Sequence, residues 1–232
     1  MEALTFAAAK QEKLATEKGE RTRAHILETA LRLFFERGYE ATTMRAVAKE
    51  AGVSLGNAYY YFASKENLIQ AIYAQSHTEH LAACQSVLER ERTLKSRLAG
   101  VMQAKIETLT PYHRFAGVLF KTAADPASPL NPWSEPSRAV REQAIALFEQ
   151  VLDGSSARPA KSLRPELPRL LWTYHMGIIL FWIHDRSPGC EASYRLAERT
   201  AELVARLIGL SALPPLRPLV RRVLEVVADL RN

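Results

Sequence analysis

A chain of 232 residues with 47% hydrophobic and 24% charged side chains falls within the range of ordinary globular proteins, which excludes disordered, collagen-like and disulfide-scaffold classes. Its 31 basic and 25 acidic residues leave a formal charge of +6, yet residues 1–75 hold ten basic and nine acidic side chains, so most of the excess lies further along. That length permits one large domain or two small ones without covalent staples. Cys84 and Cys190 stand far apart with no partner at metal-ligand spacing, as expected of structural thiols in a reducing compartment. No secretory pattern is expected, because Glu2 replaces a basic start and Lys10, Glu12, Lys13, Glu17 and Lys18 interrupt any apolar run. The most apolar stretch, Leu170 to Ile183, contains His175 and falls short of the roughly 20 residues a spanning helix needs. The expectation is a cytoplasmic protein with no membrane segment.

Thr, Val and Ile fall at helical intervals, and no Asn-Gly or Asp-Gly turn separates alternating apolar runs, so the chain reads as all-α. Residues 1–20 mix both signs of charge and read as a flexible or helical extension. From Arg21 to Arg37, Ile26, Leu27, Ala30, Leu31, Phe34 and Phe35 recur at three and four, and Gly38 stands where a left-handed residue closes a helix. Thr43 is placed to cap a short helix carrying Met44, Val47, Ala48 and Ala51; Gly52 breaks it, and Ser54 caps a third helix from about Leu55 to Tyr61. Ser64 caps a fourth, with Glu66 in its first turn and Leu68, Ile69, Ile72 and Tyr73 on its apolar side.

Helical spacing resumes in Leu94, Leu98, Val101, Met102, Ile106 and Leu109 and stops at Pro111. A helix over 112–124 precedes the proline-rich segment 125–136, where Leu130 and Trp133 point to a loop packed on the body. Ser137 opens a helix ended by Gly154, and Ser155 to Pro165 reads as a mobile loop. Helices over about 166–186, 191–208 and 216–230 complete the chain. The first of these is apolar nearly all round and must be covered on more than one side.

A helix, a turn at Gly52 and a short capped helix make a helix-turn-helix arrangement, which lets the second helix enter the major groove while the first lies across the backbone. Such units are common, so the residue types carry the argument. Asn57, Tyr59, Tyr60 and Tyr61 surround the small Gly56 and Ala58; phenolic hydroxyls suit phosphate oxygens, and an asparagine pairs with a base edge. Lys65 stands at the start of the fourth helix, where free amides already favour a phosphate.

Over Arg23 to Tyr73 the sequence resembles the TetR family of bacterial transcriptional regulators. The matching text is Ile26-Leu27, Ala30 and Phe34, Gly38-Tyr39, Thr42-Thr43, Val47-Ala48, Ala51-Gly52-Val53-Ser54, Gly56, Tyr59, Tyr61-Phe62 and Ser64-Lys65-Glu66. The resemblance implies an N-terminal three-helix DNA-binding domain over 21–66, following the extension, joined to a larger helical ligand-binding and dimerisation domain over 67–232. It implies that Thr43, Tyr59, Tyr61 and Lys65 hold phosphates, while Met44, Arg45, Leu55, Gly56, Asn57 and Tyr60 lie near base edges. Leu55 and Ala58 depart from the family's usual residues, which bears on the operator sequence. Tyr61 can instead close the small core against Phe34, as Phe62 does, and Arg21 and Arg23 can form a minor-groove arm or stay solvated.

The resemblance also implies a repressor that binds DNA as a dimer and is released by a small molecule favouring the non-binding arrangement. That effector is expected to be largely apolar and to be lined by Met102, Tyr112, His113, Phe120, Trp133, Trp172, His175, Met176 and Ile179, for each of which core packing is the alternative. Leu171, Ile178, Trp182, Leu196, Leu203 and Leu207 are expected to pair with their two-fold mates, making a homodimer through the last helices. A dimer implies a pseudo-palindromic double-stranded operator. No cofactor or metal is expected, since His77 and His80 read as exposed histidines without carboxylate or thiol company. Two rivals stand beside this reading: a ligand-independent DNA-binding regulator, and a helical enzyme using His113, Asp125 and Asp185 with a hydroxyl residue. For the enzyme no phosphate loop, nucleophile elbow or metal motif speaks.

Overall fold

The structure, a computed structural model, describes the backbone of residues 2–229 and the side chains of residues 16–113, 116, 117 and 119–229. Among the described residues every regular element is helical: α1 Glu2–Arg37, α2 Met44–Glu50, α3 Leu55–Tyr61, α4 Lys65–Arg90, α5 Leu94–Leu109, α6 His113–Ala123, α7 Arg138–Asp153, α8 Leu167–His184, α9 Glu191–Leu210 and α10 Arg217–Asp229. The chain divides within α4, between Ala74 and Gln75, into two compact units. No single described helix is long and apolar enough to cross a membrane.

In the first unit α1 buries Ile26, Ala30, Leu33 and Phe34 together with Val47, Ala48, Ala58, Phe62, Leu68 and Ile69. Seven-residue helices such as α2 and α3 lie far below the length that persists alone in water, so caps and burial must hold them. The buried Thr42 hydroxyl donates to Gly38 O at 2.8 Å and pins the α1–α2 turn. Arg32 of α1 reaches Glu50 of α2 at 2.9 Å. Gly52 adopts φ +65°, a conformation that side-chain-bearing residues rarely take, and lets the chain reverse between α2 and α3.

In the second unit α5 packs on α9 and α7 on α8. The fully buried Ala197 and Ala201 of α9 allow close helix approach, while Leu98, Val101, Met102, Phe148, Val151 and Trp182 fill the interior. Arg97 of α5 is buried, and among the described residues no carboxylate pairs with it. Its guanidinium donates to Leu88 O and Glu91 O at the end of α4, and to Gln150 O and Val151 O in the last turn of α7, at 2.6–2.9 Å. Carbonyls at helix ends lack intrahelical donors and carry the negative end of the dipole, so a single cation closes two helices. A Cβ on Gly154 would lie 2.3 Å from Arg97 Nη2, which is why α7 ends on glycine.

Asp185 holds the α8–α9 corner in the same manner. Its Oδ1 accepts from the amide and hydroxyl of Ser187, and its Oδ2 from the amide and hydroxyl of Ser193, at 2.7–2.8 Å. Burial alone raises a carboxyl pKa; these four hydrogen bonds outweigh it and bring Asp185 down to about 2.

Three sequence expectations meet different surroundings here. The segment 155–165 is tied down: Ser156 N donates to Arg92 O at 2.9 Å, Ala160 N to Ser211 Oγ at 3.0 Å, and Leu163 is buried. Of the residues expected at a dimer face, Leu171, Ile178 and Trp182 are buried in this unit's own core and Leu196 is half-buried, while Leu203 and Leu207 are exposed. The exposed apolar residues of α8 are instead Leu180 and Phe181, one step round the helix. His77 and His80, expected at the surface, are 4% and 2% exposed, because that face of α4 is covered.

Candidate nucleic-acid interface

Local chemistry builds the exposed face of α3. Thr43 caps α2 by accepting from Ala46 N at 3.2 Å, and Ser54 caps α3 by accepting from Asn57 N at 3.0 Å. Each hydroxyl satisfies an amide that the first helical turn leaves free. On α3 the inward positions are Ala58, fully buried, and Phe62 at its end. Anchoring these two turns Gly56, Asn57, Tyr59 and Tyr60 to solvent. Tyr60 is 81% exposed and Tyr59 48%, large apolar rings that the unit does not cover and whose hydroxyls remain available.

Thr43 and Arg45 are also exposed, Leu55 and Tyr61 are half-buried, and the Tyr60 and Tyr61 rings meet edge to face at 5.1 Å. A Cβ on Gly19 would lie 3.5 Å from Tyr61 Oη, so Tyr61 is partly engaged by α1. Met44, expected near base edges, is buried because α2 turns that position into the core. Lys65 is half-buried: its ammonium donates to Tyr39 O at 2.8 Å and sits 3.9 Å from the Tyr39 ring centroid. Tyr39 itself donates to Glu66 at 3.1 Å. Lys65 is thus oriented by the α1–α2 turn and retains donors for a further acceptor. Arg23 lies over the Phe62 ring at 4.9 Å and Arg21 pairs with Glu17.

In the second unit, the residues expected to line an effector site fall into separate places. Met102 and His175 share a buried polar cluster, with His175 Nδ1 donating to Met102 Sδ at 3.2 Å. Trp172 is buried and meets the exposed Trp133 edge to face at 5.3 Å. Phe120 lies against His184, and Tyr112, Met176 and Ile179 are half-buried. His113 donates from Nε2 to Trp182 O at 2.8 Å, closing the last turn of α8, which gives this histidine a structural task. The cluster also holds His77 and His80, which the sequence presented as exposed histidines. The signal available was the spacing of His77, His80 and Cys84 at i, i+3 and i+7, one face of a helix.

A capped, outward-facing helix set after a glycine turn, in a chain that also holds a second helical unit, is the arrangement of a helix-turn-helix regulator. Residues 26–72 match the family described as "Bacterial regulatory proteins, tetR family", and residues 97–226, more than half of the chain, match "Tetracyclin repressor-like, C-terminal domain". The chain belongs to the TetR family of transcriptional regulators. It is 32% identical over 91 residues to the HTH-type transcriptional repressor KstR2 of Mycobacterium tuberculosis, covering 39% of this chain and 46% of that protein. It is 41% identical over 64 residues to the HTH-type transcriptional regulator TtgR of Pseudomonas putida, covering 28% of this chain and 30% of the relative. The chain therefore matches less than half the length of these curated relatives. Among solved structures, a TetR transcriptional regulator from Nitrosomonas europaea superposes with a TM-score of 0.63 at 17% identity, over 79% of this chain and 97% of the other. FadR of Bacillus subtilis, solved with stearoyl-CoA, gives 0.58 at 18% identity, over 82% and 98%. These likenesses define a shared fold.

Proposed function

We propose that this regulator binds a pseudo-palindromic double-stranded operator as a homodimer, represses transcription there, and is released by a small, largely apolar effector held in its second unit. The carrying observation is the exposed face of α3, where Asn57, Tyr59 and Tyr60 stand around Gly56. Glycine admits the backbone close to the groove floor, Asn57 can pair bidentately with a base, and the flanking phenols suit phosphate oxygens. Thr43, Tyr61 and Lys65 supply the remaining backbone contacts, and Arg45, also exposed, lies near a base edge. Two-fold symmetry has a physical basis in the apolar residues left exposed on α8 and α9, Leu180, Phe181, Leu203 and Leu207, which a second copy would cover. The similarly folded FadR of Bacillus subtilis was solved in complex with stearoyl-CoA, which supports the reading that this regulator answers to an effector.

Selection of binding sites from random duplex DNA tests the reading. The expected result is an inverted repeat bound by two protomers, with half-sites separated by whole helical turns. Recovery of a single unpaired half-site, or of no enriched sequence, would contradict it.

A further inference from the structure

Two short stretches of the sequence meet in the first unit although Tyr39 and Lys65 stand 26 residues apart. Gly38 and Tyr39 follow α1, and Ser64, Lys65 and Glu66 open α4. Gly38 takes φ +84° and turns the chain so that Tyr39, 3% exposed, packs its ring 5.4 Å from that of Phe34. The Lys65 ammonium donates to Tyr39 O at 2.8 Å and stands 3.9 Å from the centroid of the same residue's ring. The Tyr39 hydroxyl in turn donates to Glu66 Oε1 at 3.1 Å. Tyr39 O also accepts from Thr42 N at 3.3 Å, so the carbonyl that receives the ammonium is itself fixed by the α1–α2 turn.

Each contact has a chemical cause. Burial pushes the Tyr39 phenol above its ordinary range, so it keeps its proton and donates. A hydrogen bond from Ser64 holds the Glu66 carboxyl below its ordinary range, so it stays ionised and accepts. The ring is thereby tied at its hydroxyl and packed against Phe34. An aromatic face attracts an ammonium through its quadrupole, and the carbonyl takes one of the ammonium's three donors. Among the described residues Lys65 forms no ion pair with a carboxylate. A lysine side chain otherwise carries large rotational freedom; here it is ordered while its charge stays uncompensated.

We infer that Tyr39, locked by Glu66, is a positioning residue for DNA binding, its ring and carbonyl holding the Lys65 ammonium ready for a phosphate oxygen. The inference rests on the assignment of Lys65 to a phosphate in the function proposed above and adds what prepares that lysine. A group ordered before it binds loses less freedom in the complex. The seat therefore raises affinity for every duplex alike and leaves the choice of bases to α3.

Fluorescence anisotropy of the full chain with a labelled mixed-sequence duplex, over a series of salt concentrations, tests the seat. Tyr39→Leu should weaken binding about three- to ten-fold, while Tyr39→Phe, which keeps ring and carbonyl, should stay within about two-fold of wild type. In the Lys65→Ala background the loss from Tyr39→Leu should vanish, because the ring then has no ammonium to hold. Damage to the fold would weaken both backgrounds by the same factor. An equal loss from Tyr39→Leu in both backgrounds, no loss from it in the wild type, or a Tyr39→Phe variant as weak as Tyr39→Leu would each overturn the inference. If Lys65→Ala leaves affinity and salt slope unchanged, the phosphate assignment falls and the inference with it. If Lys65→Ala flattens the slope but Tyr39→Leu is additive to it, that assignment stands and only the role of Tyr39 is refuted. A further measurement needs no change at Tyr39. The Lys65 ε-methylene protons, identified in the NMR spectrum by their absence from Lys65→Ala, should be shifted upfield by the ring in the free protein and remain so with the duplex bound. An ordinary shift in either state would refute the seat.

Discussion

On α3 the side chains of Asn57, Tyr59 and Tyr60 carry donors and acceptors directed to solvent, whereas Arg97, His113 and Asp185 in the second unit direct theirs to the protein's own backbone. Both sets are polar residues on or beside helices; they differ in what lies opposite. The seven residues of α3 are anchored by a serine cap and two buried side chains, so its other positions stay free for a partner. Arg97 and Asp185 sit where helix ends meet inside a core, and there an unsatisfied backbone group is costlier than an ordered side chain. A free polar face marks recognition, while a satisfied buried one marks architecture.

Substitutions can break or sharpen this contrast. The largest effect is expected from Arg97→Met, which fills the space but strips four carbonyl partners from the ends of α4 and α7. A loss of about 3–5 kcal/mol in chemical denaturation is expected, with operator specificity unaltered in the folded fraction. Asp185→Asn should lose about 2–3 kcal/mol at neutral pH. The sign of its pH dependence follows from the depressed native pKa: the carboxylate's contribution is complete above the unfolded value near 4 and disappears as pH falls toward about 2. Melting curves of wild type and variant should therefore converge across that window; a constant gap would refute the assignment.

Effects on the recognition helix are smaller and leave stability alone. Asn57→Ala should relax specificity at one base pair per half-site by about 1–3 kcal/mol, read by competition among operator variants, with the melting temperature unchanged. A uniform loss across all sequences would move Asn57 to the phosphate group. The smallest change is expected from Lys65→Ala. Binding to every sequence should weaken alike, and the salt dependence should flatten by about one unit of slope; an unchanged slope would show that the Tyr39 carbonyl is the lysine's only task.

Much of the fold was legible along the chain because helix boundaries are local events. Thr43, Ser54, Gly52, Gly154 and the Pro214-Pro215 break act within a few residues of where they stand, and the apolar repeats of α5, α7 and α9 are read directly. The exposed face of α3 was legible for the same reason, since a cap and two buried residues orient a seven-residue helix. What the tertiary structure decided were the contacts between elements distant in sequence. Met44 and Leu55 both look apolar on a short helix, yet only Met44 is buried. His77 and His80 look like surface histidines on a polar helix until α5 and α8 cover them, and Leu171, Ile178 and Trp182 look available for a second copy until their own unit encloses them. Periodicity states which residues share a face; which neighbour covers that face, and hence whether a polar group is hydrated, satisfied or left unpaired, depends on packing across the chain.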